Sequence, residues 1–218
     1  MVKAVEKPAQ TEVMDIPEPV TLRLRPVLDI TPDILLELSS LNDDLRLELT
    51  AGGELIVIAP TNLDTGDQNS EISMQLRMWA KRDGTGVSYD SSTGYTLKGN
   101  AVRSPDASWL LRSRRDGLSR EQRRKYPAIC PDFVIELRSP SDRLRVAQRK
   151  MTEWLDNGIR LGWLFDPDAK RVYIYRPDAE VQQLDNPESV SGDPVLPGFS
   201  LDLREVWQRP CSGVTVLT

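Results

Sequence analysis

Between Asp132 and Gly158 the spacing of apolar residues changes from every second position to every third or fourth. In the run Asp132 to Arg138, Phe133, Ile135 and Leu137 alternate with Asp132, Val134, Glu136 and Arg138, so the two sets leave opposite faces of a strand. Ser139-Pro140-Ser141-Asp142 then breaks the strand and supplies capping residues for a helix to about Asn157, with Gly158 as its stop. Leu144, Ala147, Met151, Trp154 and Leu155 form the apolar stripe of that helix. A strand feeding directly into an amphipathic helix calls for a sheet with helices laid on it, so the expected class is α/β (α+β), a mixed twisted sheet flanked by helices. The same strand carries an anomaly. Glu136 stands in an otherwise apolar run, where a carboxylate is costly unless it is paired or binds a cation. An ion pair with Arg138 or Arg145 would satisfy it as well as a metal would.

The remaining segments fit around this unit. Leu35 to Leu38 reads as a short helix after Thr31-Pro32. Arg46 to Thr50 and Glu54 to Ala59 bracket a Gly pair and read as a hairpin, and Val87 to Ser91 with Gly94 to Lys98 reads as a second. Ile72, Leu76 and Trp79 recur at helical spacing between Asp67 and Arg82, with Gly84 beyond. Asp106 to Leu111 is a further strand. Leu161 to Phe165 and Arg171 to Tyr175 flank Asp166-Pro167-Asp168 as a third hairpin, Val181 to Leu184 adds an edge strand, and Leu203 to Trp207 a last short helix. Residues 1–20, polar and punctuated by Pro8, Pro17 and Pro19, are expected to form a flexible arm ahead of one domain spanning 21–218.

The sequence contains no histidine. This excludes a Ser-His-Asp triad, a Cys-His dyad and histidine-based zinc sites, leaving carboxylates, Lys, Arg, Ser, Tyr or a hard cation bound by oxygen. Cys130 and Cys211 lack any paired spacing and read as isolated thiols. There is no apolar run long enough to cross a bilayer and no secretory block at the start, so the expected location is the cytoplasm, without membrane contact. The net charge of −5 argues against a general polyanion binder, yet Arg112 to Lys125 holds seven basic residues against two acidic ones. Such a run is ordinarily a solvated loop. Its position just after the Asp106 strand makes Arg112, Arg114, Arg115, Arg123 and Arg124 candidates for phosphate contact.

Hydrolysis of a phosphodiester requires a bound cation, a water held for attack, and positive charge beside the transferring phosphate. Asp106 and Glu136 would supply two oxygen ligands if their strands are neighbours, a donor set that suits Mg²⁺ (or Mn²⁺). Asp106 after Pro105 is, taken alone, more often a turn residue, and Asp132 mainly opens the strand that carries Glu136.

The order Pro105-Asp106, then Glu136-Leu137-Arg138, resembles the PD-(D/E)XK nuclease superfamily. More closely, the chain resembles the Uma-type putative restriction endonuclease family. The matching stretches are Leu47 to Thr50, Ser91 to Gly94, Arg103 to Trp109, Pro131 to Asp142, Lys150-Met151 and Asn157 to Leu164, within residues 35–207. The resemblance implies a restriction-endonuclease-like fold with added N-terminal hairpins, and a metal-dependent endonuclease-like phosphodiesterase. Its substrate would be nucleic acid, DNA favoured, and its assembly a homodimer. It implies Asp106 and Glu136 as metal ligands and an acidic residue from an early element, Glu71 on the helix ahead of Glu48 on the hairpin. The lysine slot of the motif falls on Arg138, whose guanidinium neutralises phosphate charge but cannot act as a base. Lys150, on the following helix, would supply the ammonium. The alternative is a nuclease fold without catalysis that binds nucleic acid or a protein partner.

Overall fold

The computed structural model describes residues 19–140 and 142–207. Most of the expected arm, and Cys211, lie outside these residues. Val20, the last residue of that expected stretch, is the first residue of a strand.

The chain order is β1 (Val20–Arg23), α1 (Pro32–Leu41), β2 (Arg46–Leu49), β3 (Glu54–Ile58), α2 (Leu63–Asp83), β4 (Gly86–Asp90), β5 (Tyr95–Thr96), β6 (Val102–Arg103), β7 (Ala107–Leu111), α3 (Arg112–Asp116), β8 (Phe133–Leu137), α4 (Leu144–Asp156), β9 (Leu161–Asp166), β10 (Arg171–Tyr175), β11 (Gln182–Asp185), β12 (Ser189–Ser191), β13 (Ser200–Asp202) and α5 (Arg204–Trp207). A six-stranded sheet runs β11-β10-β9-β8-β7-β4, and a five-stranded sheet runs β1-β3-β2-β6-β5. All pairings in the larger sheet are antiparallel except β8–β9, which the α4 crossover makes parallel.

The two faces of β8 separate as alternation demands. Phe133, Ile135 and Leu137 enter one core with Ile72, Leu76 and Trp79 of α2. Val134 enters another with Met151 and Trp154 of α4. The six-stranded sheet is therefore the middle layer of three. A smaller core beneath α1, from Leu35, Leu47, Leu49, Leu55 and Val102, holds the five-stranded sheet. Helix α4 sits close on β9 because Gly162 has no side chain. A Cβ there would lie 2.4 Å from Met151 Cε and 2.8 Å from Ile159 Cδ1.

Three local readings need correction. Segments 87–91 and 94–98 do not form a hairpin: β4 pairs with β7 and β5 with β6, so the turn after Asp90 carries the chain from one sheet to the other. Helix α2 begins four residues before Asp67, because Asn62 Oδ1 accepts the Thr65 N–H and nucleates the turn there. Asp142 does not cap α4. Its Oδ2 accepts from the N–H and hydroxyl of Ser139, closing the loop on itself, and the helix begins after Arg143 with no side-chain cap. The expected cap at Thr31, the stops at Gly84 (φ 74°) and Gly158 (φ 100°), and the reciprocal Ser119–Gln122 bonds are all present.

Candidate active site at the junction of the two sheets

The connection Arg103 to Asp106 passes from the five-stranded sheet into the six-stranded one. Ala107 pairs with Ile135 in antiparallel register, so Asp106 falls opposite Glu136 on the face turned toward α4. The two carboxylates are near enough to repel, and Asp106 is among the groups that raise Glu136. Asp106 Oδ2 accepts the Leu137 N–H at 2.8 Å. This bond clamps the start of β7 to the end of β8, and among the described residues Asp106 Oδ1 carries no hydrogen bond.

Lys150, at the middle of α4, closes the cluster. Its Nζ donates to Glu136 Oε2 at 3.0 Å, to Glu48 Oε1 at 3.0 Å and to the Ser104 carbonyl at 3.2 Å. Trp154, one helical turn on, donates its indole N–H to Glu136 Oε1 at 2.8 Å. Glu48 carries three bonds: Oε1 also accepts the Ser104 N–H and Oε2 accepts from Arg103, which reaches on to Glu153. Glu48 therefore positions the two cations, and Asp106 and Glu136 are the carboxylates with fewer bonds. Glu48 and Glu136 are only 3% and 7% exposed, so these bonds form away from bulk water.

The charges do not balance. Four carboxylates (Glu48, Asp106, Glu136, Glu153) face three cationic side chains, Arg103 and Lys150 in ion pairs and Arg46 acting on Asp106 from further off. Burial pushes the Glu136 carboxyl up to about 7 against the pull of Lys150, with Asp106 and Glu48 adding repulsion. Burial likewise raises Asp106, opposed by Lys150 and the Leu137 N–H. Burial would raise Glu48 too, but Lys150, Arg103 and the Ser104 N–H hold it below the usual range. Burial favours a neutral Lys150, yet Glu136, Glu48 and Asp106 hold its ammonium above the ordinary lysine value. The excess of carboxylates over cations and the oxygen donors fit a divalent cation. As the side chains stand, no three acidic groups among the described residues converge on one ion-sized point; the Lys150 ammonium lies between two of them.

The expected residues are distributed as follows. Asp106, Glu136 and Lys150 come together. Glu71 does not join them: its carboxylate accepts from Gln75, which binds the Asp202 carbonyl, in the α2 layer across the sheet from Glu136. The acidic residue from an early element is Glu48. Arg138 leaves the same face as Glu136 but is drawn to the loop after β9, with Nη2 2.9 Å from Asp166 Oδ1 and 3.1 Å from Asp168 Oδ2. It pairs neither with Glu136 nor with Asp106. Asp132, 2% exposed, anchors the opposite end of β8 through Arg114 at 2.8 Å and the Leu111 N–H at 2.9 Å. In the basic run, Arg112 donates to the Gly84 carbonyl, and Arg114 is taken up by Asp132 and the Cys130 carbonyl. Arg115, Arg123 and Arg124 remain toward solvent or a cleft. Sequence reasoning missed Arg103 and Trp154 as parts of the site. The sign of Glu48 was its place between the core residues Leu47 and Leu49, where alternation turns it away from their core.

Among the described residues no helix is long and apolar enough to cross a membrane. A crystal structure described as a "putative nuclease belonging to DUF820", from Anabaena variabilis ATCC 29413, superposes with a TM-score of 0.67 at 24% identity, over 82% of this chain and 97% of that one. The fold is thus restriction-endonuclease-like. No curated protein matches the chain. A family model described as "Putative restriction endonuclease" matches residues 32–204, and the chain belongs to that family, Uma2.

Proposed function

We propose that the protein is a metal-dependent phosphodiesterase acting as an endonuclease on nucleic acid, DNA favoured. The observation that carries this reading is the meeting of Asp106, Glu136 and Lys150 on one face, in a cluster whose carboxylates outnumber its cations. Asp106 and Glu136 would hold Mg²⁺ or Mn²⁺, which when bound supplies Lewis-acid stabilisation of the phosphate and a more acidic attacking water. Lys150, held protonated by its carboxylate neighbours, is not a proton acceptor at neutral pH; its three N–H groups are engaged, and it would donate to a phosphate oxygen by releasing Glu136 to the cation. Glu48 and the Ser104 carbonyl aim its ammonium. Trp154 fixes the rotamer of Glu136 and excludes water from its inner side. Arg138 keeps the β8–β9 end together and stays out of the reaction. A two-fold dimer suits cleavage of both strands of a duplex, and its mass in solution is measurable by sedimentation.

The test is cleavage of plasmid and of short DNA with Mg²⁺ or Mn²⁺ by the wild type, Glu136→Ala and Lys150→Met. Loss of cleavage in both variants, with the fold retained, is expected; cleavage equal to wild type by Glu136→Ala would remove this site from the reaction. A second reading, a nuclease fold without catalysis, is favoured by the ion pairs through which Lys150 already neutralises Glu48 and Glu136. Calorimetry separates the two. Divalent-cation binding that disappears in Glu136→Ala supports the first reading, and its absence from wild type supports the second.

A further inference from the structure

A cleft of about 340 Å³ opens between the turn that follows β4 and the 3-10 turn Gln122–Arg124. Tyr89, Tyr126, Arg115, Arg123, Arg124 and Lys125 line it, and no carboxylate does, in a chain of net charge −5. It adjoins the candidate site. A Cβ at Gly94, on its wall, would stand 2.6 Å from the Tyr126 ring and 3.4 Å from Ser104 Oγ, and Ser104 is the residue whose carbonyl accepts from Lys150. Tyr95, also on the wall, packs edge-on against Trp154, the partner of Glu136.

The cations of this cleft are unequally engaged. Arg115 meets Asp116, Lys125 meets Asp33, and Arg123 donates to the Leu118 carbonyl. Among the described residues the Arg124 guanidinium has no hydrogen bond or ion pair. It is exposed, and it lines the cleft together with Tyr89 and Tyr126. Aromatic rings interleaved with cations bind nucleotides that present a base face and a phosphate. A duplex presents base edges and is far wider than a cavity of this size, which matches one small-molecule site.

We propose that the cleft receives one unpaired nucleotide of the strand being cut, next to the phosphodiester at the Asp106–Glu136–Lys150 cluster. The base rests against Tyr89 or Tyr126 and the phosphate on Arg124 and Arg123. The inference rests on the phosphodiesterase reading for the course of the strand, and it makes single-stranded or locally opened nucleic acid the preferred substrate.

Fluorescence anisotropy with a labelled single-stranded oligodeoxynucleotide, on the full chain in EDTA, tests it. Arg124→Ala should weaken binding about tenfold and lower the slope of log Kd against log salt by about 0.7, the loss of one phosphate contact on a single strand. Arg124→Lys should restore the slope. Tyr89→Leu should weaken binding about tenfold, within the range of one stacked base, and leave the slope unchanged. Unchanged affinity in these variants, losses equal for a duplex, or binding of a mononucleotide as tight as the strand would overturn the proposal. The two readings fail separately: a wild type that cuts nothing but shows the Arg124 and Tyr89 effects keeps the cleft and loses the phosphodiesterase. Cleavage with no such effects does the reverse.

Discussion

Glu136→Gln tests the electrostatics of the cluster without recourse to activity. The Glu136 carboxyl titrates at about 7 in the fold against an ordinary 4.5. Between those values the folded protein holds a proton that the unfolded chain has released, so stability must fall as pH rises through that window. At about 1.4 kcal/mol per pH unit, the full loss is on the order of 3 kcal/mol. Glutamine keeps the shape and the Trp154 contact but cannot ionise, so this part of the pH dependence should vanish. The assay is urea unfolding in EDTA at pH 5 and pH 8. The wild type should lose on the order of 3 kcal/mol more than Glu136→Gln between the two. Glu48, held below its ordinary value, acts in the opposite direction and only below pH 4.5, outside this window. Asp106 repels the Glu136 carboxylate and is relieved of that repulsion in Glu136→Gln, so the difference between the two proteins reports the pair together. Parallel pH profiles would refute the reasoning, because Glu136 would then be ionised at no cost and the cluster would have no unmet need for positive charge.

Lys150→Met should destabilise by about 3 kcal/mol at pH 8, the cost of breaking a buried pair, and by less at pH 5, where Glu136 takes up a proton in place of the lost partner; cleavage should fall at least about a hundredfold. Arg138→Ala should cost about 3 kcal/mol in urea unfolding by stranding buried Asp166, while cleavage by the folded fraction stays within about threefold of wild type. Arg114→Ala should cost about 2 kcal/mol through Asp132, with the salt dependence of DNA binding unmoved, separating it from Arg124. Gly162→Ala should cost about 2 kcal/mol by pressing on Met151 and shifting α4, and should lower cleavage more than binding, because Lys150 travels with that helix.

The parts of this architecture that could be read from the chain were those with local causes. The alternation of β8, the stripe of α4, the Thr31 cap and the Gly84 and Gly158 stops each express a periodicity or a single backbone conformation. What misled was pairing across distance. Tyr89 and Tyr95 flank a turn that resembles a hairpin, but β4 finds its partner in β7 and β5 finds its own in β6. The site divides in the same way. Glu136 announced itself as a charge in an apolar strand, and Lys150 through the resemblance. Choosing Glu48 over Glu71 required knowing that α2 lies across the sheet from Glu136, which no spacing reveals. Arg138 shares a strand face with Glu136, yet the register of β9 offers it Asp166 and Asp168, and a strong local partner overrides the position a motif assigns.

The Arg103 bridge between Glu48 and Glu153 has a consequence for how such a chain can be shortened or recombined. The six-stranded sheet with α2 and α4 contains Glu136 and the Lys150 ammonium, has Asp106 just ahead of β7, and looks self-sufficient. It is not. The residue that aims Lys150 belongs to the preceding hairpin, and the guanidinium that fastens that hairpin to α4 lies on the connection between the sheets. A version without the first hairpin would keep both candidate ligands and the ammonium and lose the carboxylate that aims it. Grafting these strands into another scaffold therefore requires carrying Glu48 and Arg103 together, as the ion pair they form at 3.0 Å.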